Sequence, residues 1–149
     1  MRLTQYSDHA LRVLIHLAVL GDDARTTISA IAERHQVSRH HMVKVVHQLG
    51  QLGYVDTLRG KGGGLRLAQP PAQIVLGEVV RHTERQLDLV ECFSDPGACV
   101  LTPHCGLRGV LTEALAAFLA VLDSYTLADL VGPDAAPARA FLLRAPLSA

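Results

Sequence analysis

Three cysteines, Cys92, Cys99 and Cys105, are the residues of this chain best suited to do chemistry, and there is no fourth. They lie within the run Cys92-Phe93-Ser94-Asp95-Pro96-Gly97-Ala98-Cys99-Val100-Leu101-Thr102-Pro103-His104-Cys105, with six residues inside the first gap and five inside the second. Two prolines and a glycine disfavour a regular helix or strand, so the three thiols are expected on one irregular loop. Three thiols on a loop suit a metal or cluster site that borrows a ligand from elsewhere. Zinc held by the three cysteines and His104 is an ordinary alternative set. The bland alternative, three small buried hydrophobes, fits poorly with their clustering on a loop.

The surrounding elements must position this loop. Thr4 to Leu20 has helical spacing in Tyr6, Ala10, Leu11, Leu14, Ile15, Leu17 and Ala18, and Gly21 stops it. A second helix is expected from about Thr27 to His35, with Ile28, Ile31 and Ala32 on one face. After Gln36-Val37, Ser38 is a good N-cap for a third helix through about Leu52. There Val43, Val46, Leu49 and Leu52 are expected to face inward, and Arg39, His40, Lys44, His47 and Gln48 outward. Two such helices across a tight turn describe a helix-turn-helix. Tyr54–Leu58 and Leu65–Leu67 alternate like strands around Arg59-Gly60-Lys61-Gly62-Gly63-Gly64, a hairpin whose cationic tip can enter a minor groove. A phosphate-binding nucleotide loop is excluded, because no Lys-Ser/Thr pair follows to open a helix.

The expected class is mainly α with a small β-hairpin wing. Residues 1–69 form a winged helix-turn-helix DNA-binding domain, and residues 70–90 a supporting helix and connector after Pro70-Pro71. Residues 91–106 form the cysteine loop. Residues 107–131 hold a long helix and a short helical turn, and residues 132–149 a Pro/Ala-rich tail expected to be partly loose. In the long helix Leu107, Leu111, Ala114, Leu115, Phe118, Val121, Leu122 and Tyr125 mark one wide apolar stripe, which suits a dimer interface.

The net charge of zero hides an asymmetry. Residues 1–66 carry nine Lys/Arg against five Asp/Glu, and the remainder five against nine. A basic half joined to an acidic half fits a nucleic-acid-binding head on a body with another task. No apolar run reaches the length of a membrane span, and the N-terminus lacks the layout of a signal peptide, so a cytoplasmic protein without a membrane partner is expected. Structural disulfides are rare there, which again favours thiols as ligands. No nucleophile–base pair is visible, so no enzyme is expected.

Taken together, Met1-Arg2-Leu3-Thr4 with Asp8 and Leu11-Arg12, the Ser38–Lys44 stretch, the Arg59–Gly64 wing, the three-cysteine loop and Tyr125-Thr126-Leu127-Ala128-Asp129-Leu130 resemble the iron–sulfur winged-helix repressors, and most of all their nitric-oxide-sensitive branch. The likeness runs to about residue 131. It implies a homodimer that binds double-stranded operator DNA with its cluster intact. It also implies that the dimer releases the DNA when nitric oxide attacks the cluster, switching on detoxification genes. Two departures stand out. The first cysteine gap is usually one residue shorter, and Gly106-Leu107-Arg108-Gly109 lacks the histidine that relatives regulating cluster assembly use as a ligand.

Iron–sulfur clusters take four protein ligands as a rule, so three cysteines leave one position open. Candidates are Asp8, His9, His104, Asp95, Glu91, or no protein ligand. The resemblance points to Asp8, arriving from the partner subunit, and to a [4Fe–4S] cluster in preference to [2Fe–2S]. Ser38, Arg39, His40, His41 and Lys44 are expected to meet the major groove, and Arg59 and Lys61 the minor groove. Two alternative functions remain open: an iron- or redox-sensing regulator with a [2Fe–2S] cluster, and a zinc-stabilised protein that does not act on DNA.

Overall fold

The structure is a computed structural model and describes residues 2–21, 24–60, 62–132 and 135–143. The first helix, α1 (Gln5–Leu20), starts where the Thr4 hydroxyl accepts from the Ser7 N–H, and ends at Gly21 with φ 80°. Ala10, Val13, Leu14 and Leu17 fall at i, i+3, i+4 and i+7, and all four are buried. The short α2 (Ile28–Arg34) is capped by Thr27 and buries Ile31 and Ala32. Its exit passes through Gln36, a non-glycine residue with φ 54°, and the Val37 N–H reaches back to the Ala32 carbonyl at 2.9 Å. That left-handed residue turns the chain into α3 (Arg39–Gln51), whose N-cap is Ser38.

The core face of α3 is Met42, Val45, Val46 and Leu49. Val43, expected inward, is 37 % exposed, and Leu52 is only half-buried. The reason is phase: once Met42 leads the stripe, Val43 is rotated about 100° away from it.

Strands β1 (Val55–Leu58) and β2 (Gly64–Leu67) pair antiparallel, with Val55 opposite Leu67 and Asp56 opposite Arg66. The hairpin is fastened to the core by buried Val55 and Leu65, and by the Leu65 N–H donating to the Thr26 carbonyl at 2.8 Å. Arg66 Nη2 and Asp56 Oδ2 pair across it at 2.9 Å.

The supporting helix α4 (Leu76–Thr83) begins two residues later than the apolar run Ile74-Val75-Leu76 suggests. Ile74 and Val75 are instead extended and pair with the segment that follows the long helix: Leu127 N–H donates to Ile74 O at 2.8 Å, and Leu76 N–H to Tyr125 O at 3.0 Å. That long helix, α5 (Gly106–Asp123), has no buried residue in the single chain. The short α6 (Leu127–Leu130) follows, held by a capping box between Thr126 and Asp129. Leu127 and Ile74 are both fully buried in the same core as α1 and α3, so the head's core draws on residues well beyond position 69. Part of the tail is ordered as α7 (Ala136–Leu143), which buries Leu142 and sets Phe141 under the Arg34 guanidinium at 5.6 Å. No described helix is long and apolar enough to cross a membrane.

Candidate metal centre and nucleic-acid interface

The cysteine loop is a chain of three 3₁₀ turns, Glu91–Phe93, Pro96–Ala98 and Thr102–His104. The prolines explain this: Pro96 and Pro103 sit in the first positions of their turns, where a missing N–H costs nothing, and neither turn propagates. Cys92 lies inside the first turn, Cys99 closes the second, and Cys105 is the N-cap of α5. All three thiols are free and half-buried. They line one cavity of about 460 Å³, walled otherwise largely by Val90, Leu101, Leu107 and Leu111.

Three thiols on a largely aliphatic wall are the donor chemistry that iron–sulfur clusters take. Among the described residues no group of three His, Cys, Asp or Glu side chains forms a ready-made site for a metal ion. The positive end of α5 adjoins Cys105, which favours a negatively charged occupant.

The fourth-ligand candidates separate in space. Glu91 lines the cavity with the cysteines, whereas Asp8, His9, Asp95 and His104 do not. Asp95 accepts from the Gly97 N–H at 2.9 Å and is occupied in its own turn. His104 is exposed and borders a separate, outer cavity beside Cys105 and Arg108. Asp8 sits on the first turn of α1, half-exposed, with Oδ1 and Oδ2 bonded to Arg12 at 3.0 and 2.9 Å. Arg108 is a residue that sequence reasoning missed. It lines the thiol cavity, donates from Nε to the Cys92 carbonyl at 3.4 Å, and lies 5.9 Å from the Phe93 ring centre. Its signal was available: a cation in the first turn of a helix opened by a cysteine.

On the head, Ser38, Arg39, His40, His41, Lys44 and His47 are all exposed on α3, which carries no acidic residue. The Ser38 hydroxyl accepts from the His41 N–H at 3.4 Å, and Arg39 Nε donates to Ser29 Oγ at 3.0 Å, tying α3 to α2. Arg59 is exposed at the wing tip, and Lys61 lies outside the described residues. Gly60 and Gly62 have φ of 95° and 84°, and the Gly63 N–H closes onto Gly60 O at 2.9 Å. Side chains there would be strained, so the tip keeps a bare backbone. Burial lowers the His9 pKa against the raising influence of Asp8.

Behind this face lies a pair that composition did not single out. His16, 5 % exposed on α1, faces His35 at the end of α2 with Nδ1 and Nε2 3.1 Å apart. Burial first, then the neighbouring His35 and Arg34, pushes His16 down to about 4.

With this geometry in view, the comparisons with known proteins are direct. The Rrf2 family, described as an iron-dependent transcriptional regulator, matches residues 3–133. The HTH-type transcriptional regulator NsrR of Geobacillus kaustophilus (strain HTA426) is 54 % identical over 143 residues, covering 95 % of this chain and 97 % of that protein. NsrR of Bacillus subtilis (strain 168) is 54 % identical over 132 residues, covering 88 % and 90 %. Among solved structures, T. potens IscR superposes with a TM-score of 0.74 at 25 % identity, covering 93 % and 90 %. CymR, the global cysteine regulator of B. subtilis, gives 0.72 at 27 %, covering 88 % and 96 %. These relatives are regulators and not enzymes, and the winged helix, the thiol loop and the long uncovered helix occur here in one chain. The chain belongs to the Rrf2 family of transcriptional regulators, as an NsrR-type member.

Proposed function

We propose that this chain is a homodimeric repressor that holds operator DNA while an iron–sulfur cluster is in place, and lets go when nitric oxide attacks that cluster. The observation that carries this reading is the gathering of all three thiols on one largely aliphatic cavity, at the head of an 18-residue apolar helix with no buried residue. Leu107, Val110 and Val121 are 59–62 % exposed on α5. A second copy covering this face brings two winged helices into a two-fold pair, as a palindromic operator requires.

Cys92, Cys99 and Cys105 would hold the cluster, [4Fe–4S] in preference to [2Fe–2S], with Asp8 of the partner subunit as fourth ligand. A cluster bound there supplies an iron with a comparatively weak oxygen ligand, open to a small diatomic such as nitric oxide. Once a second copy covers Leu101 and Leu107, the aliphatic wall would limit the approach of water, and Arg108 and the start of α5 would offset negative charge. Asp8 has two competing partners, Arg12 within its own helix and the site across the dimer. Held by Arg12 alone, Asp8 would leave α1 untied from the partner, and α1 is packed on α3. A shift of a few ångströms in the spacing of two recognition helices then spoils simultaneous binding to both half-sites. Ser38, Arg39, His40, His41 and Lys44 would contact the major groove, with Arg59 and Lys61 in the minor groove.

One observation favours a second ligand assignment. Glu91 is the carboxylate that shares the cavity with the cysteines. Anaerobic ultraviolet–visible spectra with iron and sulfide assays, before and after nitric oxide, test both levels. A broad cluster band that bleaches supports the sensor, and a colourless zinc protein overturns it. Asp8→Ala is expected to alter the spectrum or the nitric-oxide response of a folded dimer. If Glu91→Ala does so instead, the ligand lies within the chain.

A further inference from the structure

The cleft between α1 and α3, about 330 Å³, is lined by Thr4, Tyr6, His9, His41, Lys44 and Val45, with Gln5 at its edge and no carboxylate in its wall. Two imidazoles and an ammonium from two different helices thus border one space, beside the Gln5 amide. The adjacent acid, Asp8, is engaged by Arg12 at 2.9 Å and so does little to offset them. Tyr6 belongs to the same wall, and its hydroxyl, sealed from solvent, has no hydrogen-bond partner among the described residues.

We propose that this cleft seats a single phosphate group from the DNA backbone, held by His9 of α1 together with His41 and Lys44 of α3. The inference rests on the DNA-binding reading above and adds α1 to the surface that touches the duplex. A phosphate offers several acceptor oxygens to donors approaching from different directions, which suits two imidazoles and an ammonium on opposite walls. His41 and Lys44 are exposed on the helix assigned to the groove, so a backbone phosphate at the groove's rim is within their reach. A free phosphate ion shares the chemistry, but a duplex presents its phosphates already aligned along that helix. The seat also places two functions on consecutive residues of α1: Asp8 toward the cluster and His9 toward the DNA. Movement of α1 when Asp8 is released then withdraws a phosphate contact as well as shifting α3.

The test uses the full-length protein prepared anaerobically, with fluorescence anisotropy on an operator duplex and a shuffled duplex over a range of salt. His9→Gln is expected to weaken both duplexes by the same factor, roughly three- to tenfold, because phosphate contacts carry no sequence information. Lys44→Gln is expected to reduce the slope of log affinity against log salt by about 1. His9→Lys, which keeps a nitrogen donor at this position, is expected to restore binding and guards against a merely structural loss. Wild-type affinity for His9→Gln on both duplexes overturns the proposal, and so does a loss confined to the operator, which would mean base reading. Calorimetry with inorganic phosphate separates the sources: phosphate binding that His9→Gln abolishes while DNA affinity is unchanged assigns the cleft to a free anion and overturns it. A wild-type protein that binds neither duplex overturns the DNA-binding reading itself, and this seat with it.

Discussion

At the scale of single residues, the His16–His35 pair shows what burial does to a titratable group. With two neutral imidazoles 3.1 Å apart, one ring donates and the other accepts, and a proton on both breaks the bond. His16 is lowered from 6.5 to about 4, so the unfolded chain takes up a proton more readily than the folded one. The pair's contribution is therefore complete above about pH 6.5 and is lost as pH falls toward 4. Between pH 7 and pH 5 the wild type should lose roughly 2 kcal/mol of stability through this site. Urea midpoints of the wild type and His16→Gln check this: the substitution should flatten the pH dependence in that window. Equal slopes for both proteins would show that other groups dominate. Arg108 combines both levels: its place in the first turn after Cys105 is local, whereas its contact with the Cys92 carbonyl depends on how the loop's three turns bring Cys92 back to α5.

Among elements, the contact between α4 and α5 is the joint between head and body. Arg81 grips Asp123 through two hydrogen bonds of 2.6 Å each, and that pair holds the Asp123 carboxyl below the usual carboxylate range. The carboxylate lies directly over Gly77, where an added Cβ would collide with it. Glycine is needed here for close approach, not for an unusual backbone angle. Gly77→Ala should push α5 away from α4 and cost about 1–3 kcal/mol, the usual penalty of overpacking. Thermal unfolding measures the loss, and an unchanged midpoint would mean that Asp123 swings aside freely. At the other end of α4, Glu84 accepts from the Thr4 N–H at 2.7 Å and its hydroxyl at 3.1 Å, so the connector leading to Cys92 is fastened to the start of α1. Glu84→Gln should leave the fold intact yet reduce the difference in DNA affinity between cluster-loaded and nitric-oxide-treated protein. Retention of the full difference would place the coupling elsewhere.

For the whole molecule, the proposed dimer rests on α5, which has no buried residue in the single chain. Leu111, Leu115, Phe118 and Leu122 are only half-buried, although they lie on the apolar stripe of the longest helix. Placing a charge there should be tolerated by the head, whose core is formed by α1, α2, α3, the hairpin, Ile74, Val79 and Leu127, with no residue of α5. Leu115→Glu is therefore expected to yield a folded monomer in sedimentation, with operator affinity reduced by at least tenfold because two half-sites are no longer engaged together. A Leu115→Glu dimer with full affinity would move the interface to another face. The charge asymmetry of the chain belongs to this scale too: the basic head suits a polyanionic duplex, while the acidic remainder carries the thiols.

The helices, the hairpin and the loop were legible in the sequence because each depends on local physics: apolar periodicity, capping hydroxyls, glycines at left-handed turns, and prolines that stop regular structure. The choice of three cysteines as ligand candidates was likewise a matter of residue type and neighbourhood. What tertiary structure decided was phase and partnership. Packing rotated α3 so that Met42 faces the core and Val43 faces solvent. Pairing with Tyr125 and Leu127 drew Ile74 and Val75 out of a helix and joined the end of α5 to the head. Packing also ordered Ala136–Leu143 against α1 within a tail whose composition suggested looseness. The two carboxylates Glu91 and Asp8 were indistinguishable by type, and only the fold separated Glu91, lining the thiol cavity, from Asp8, paired with Arg12 on α1. Such distinctions depend on contacts between residues far apart in the chain, and no local pattern encodes them.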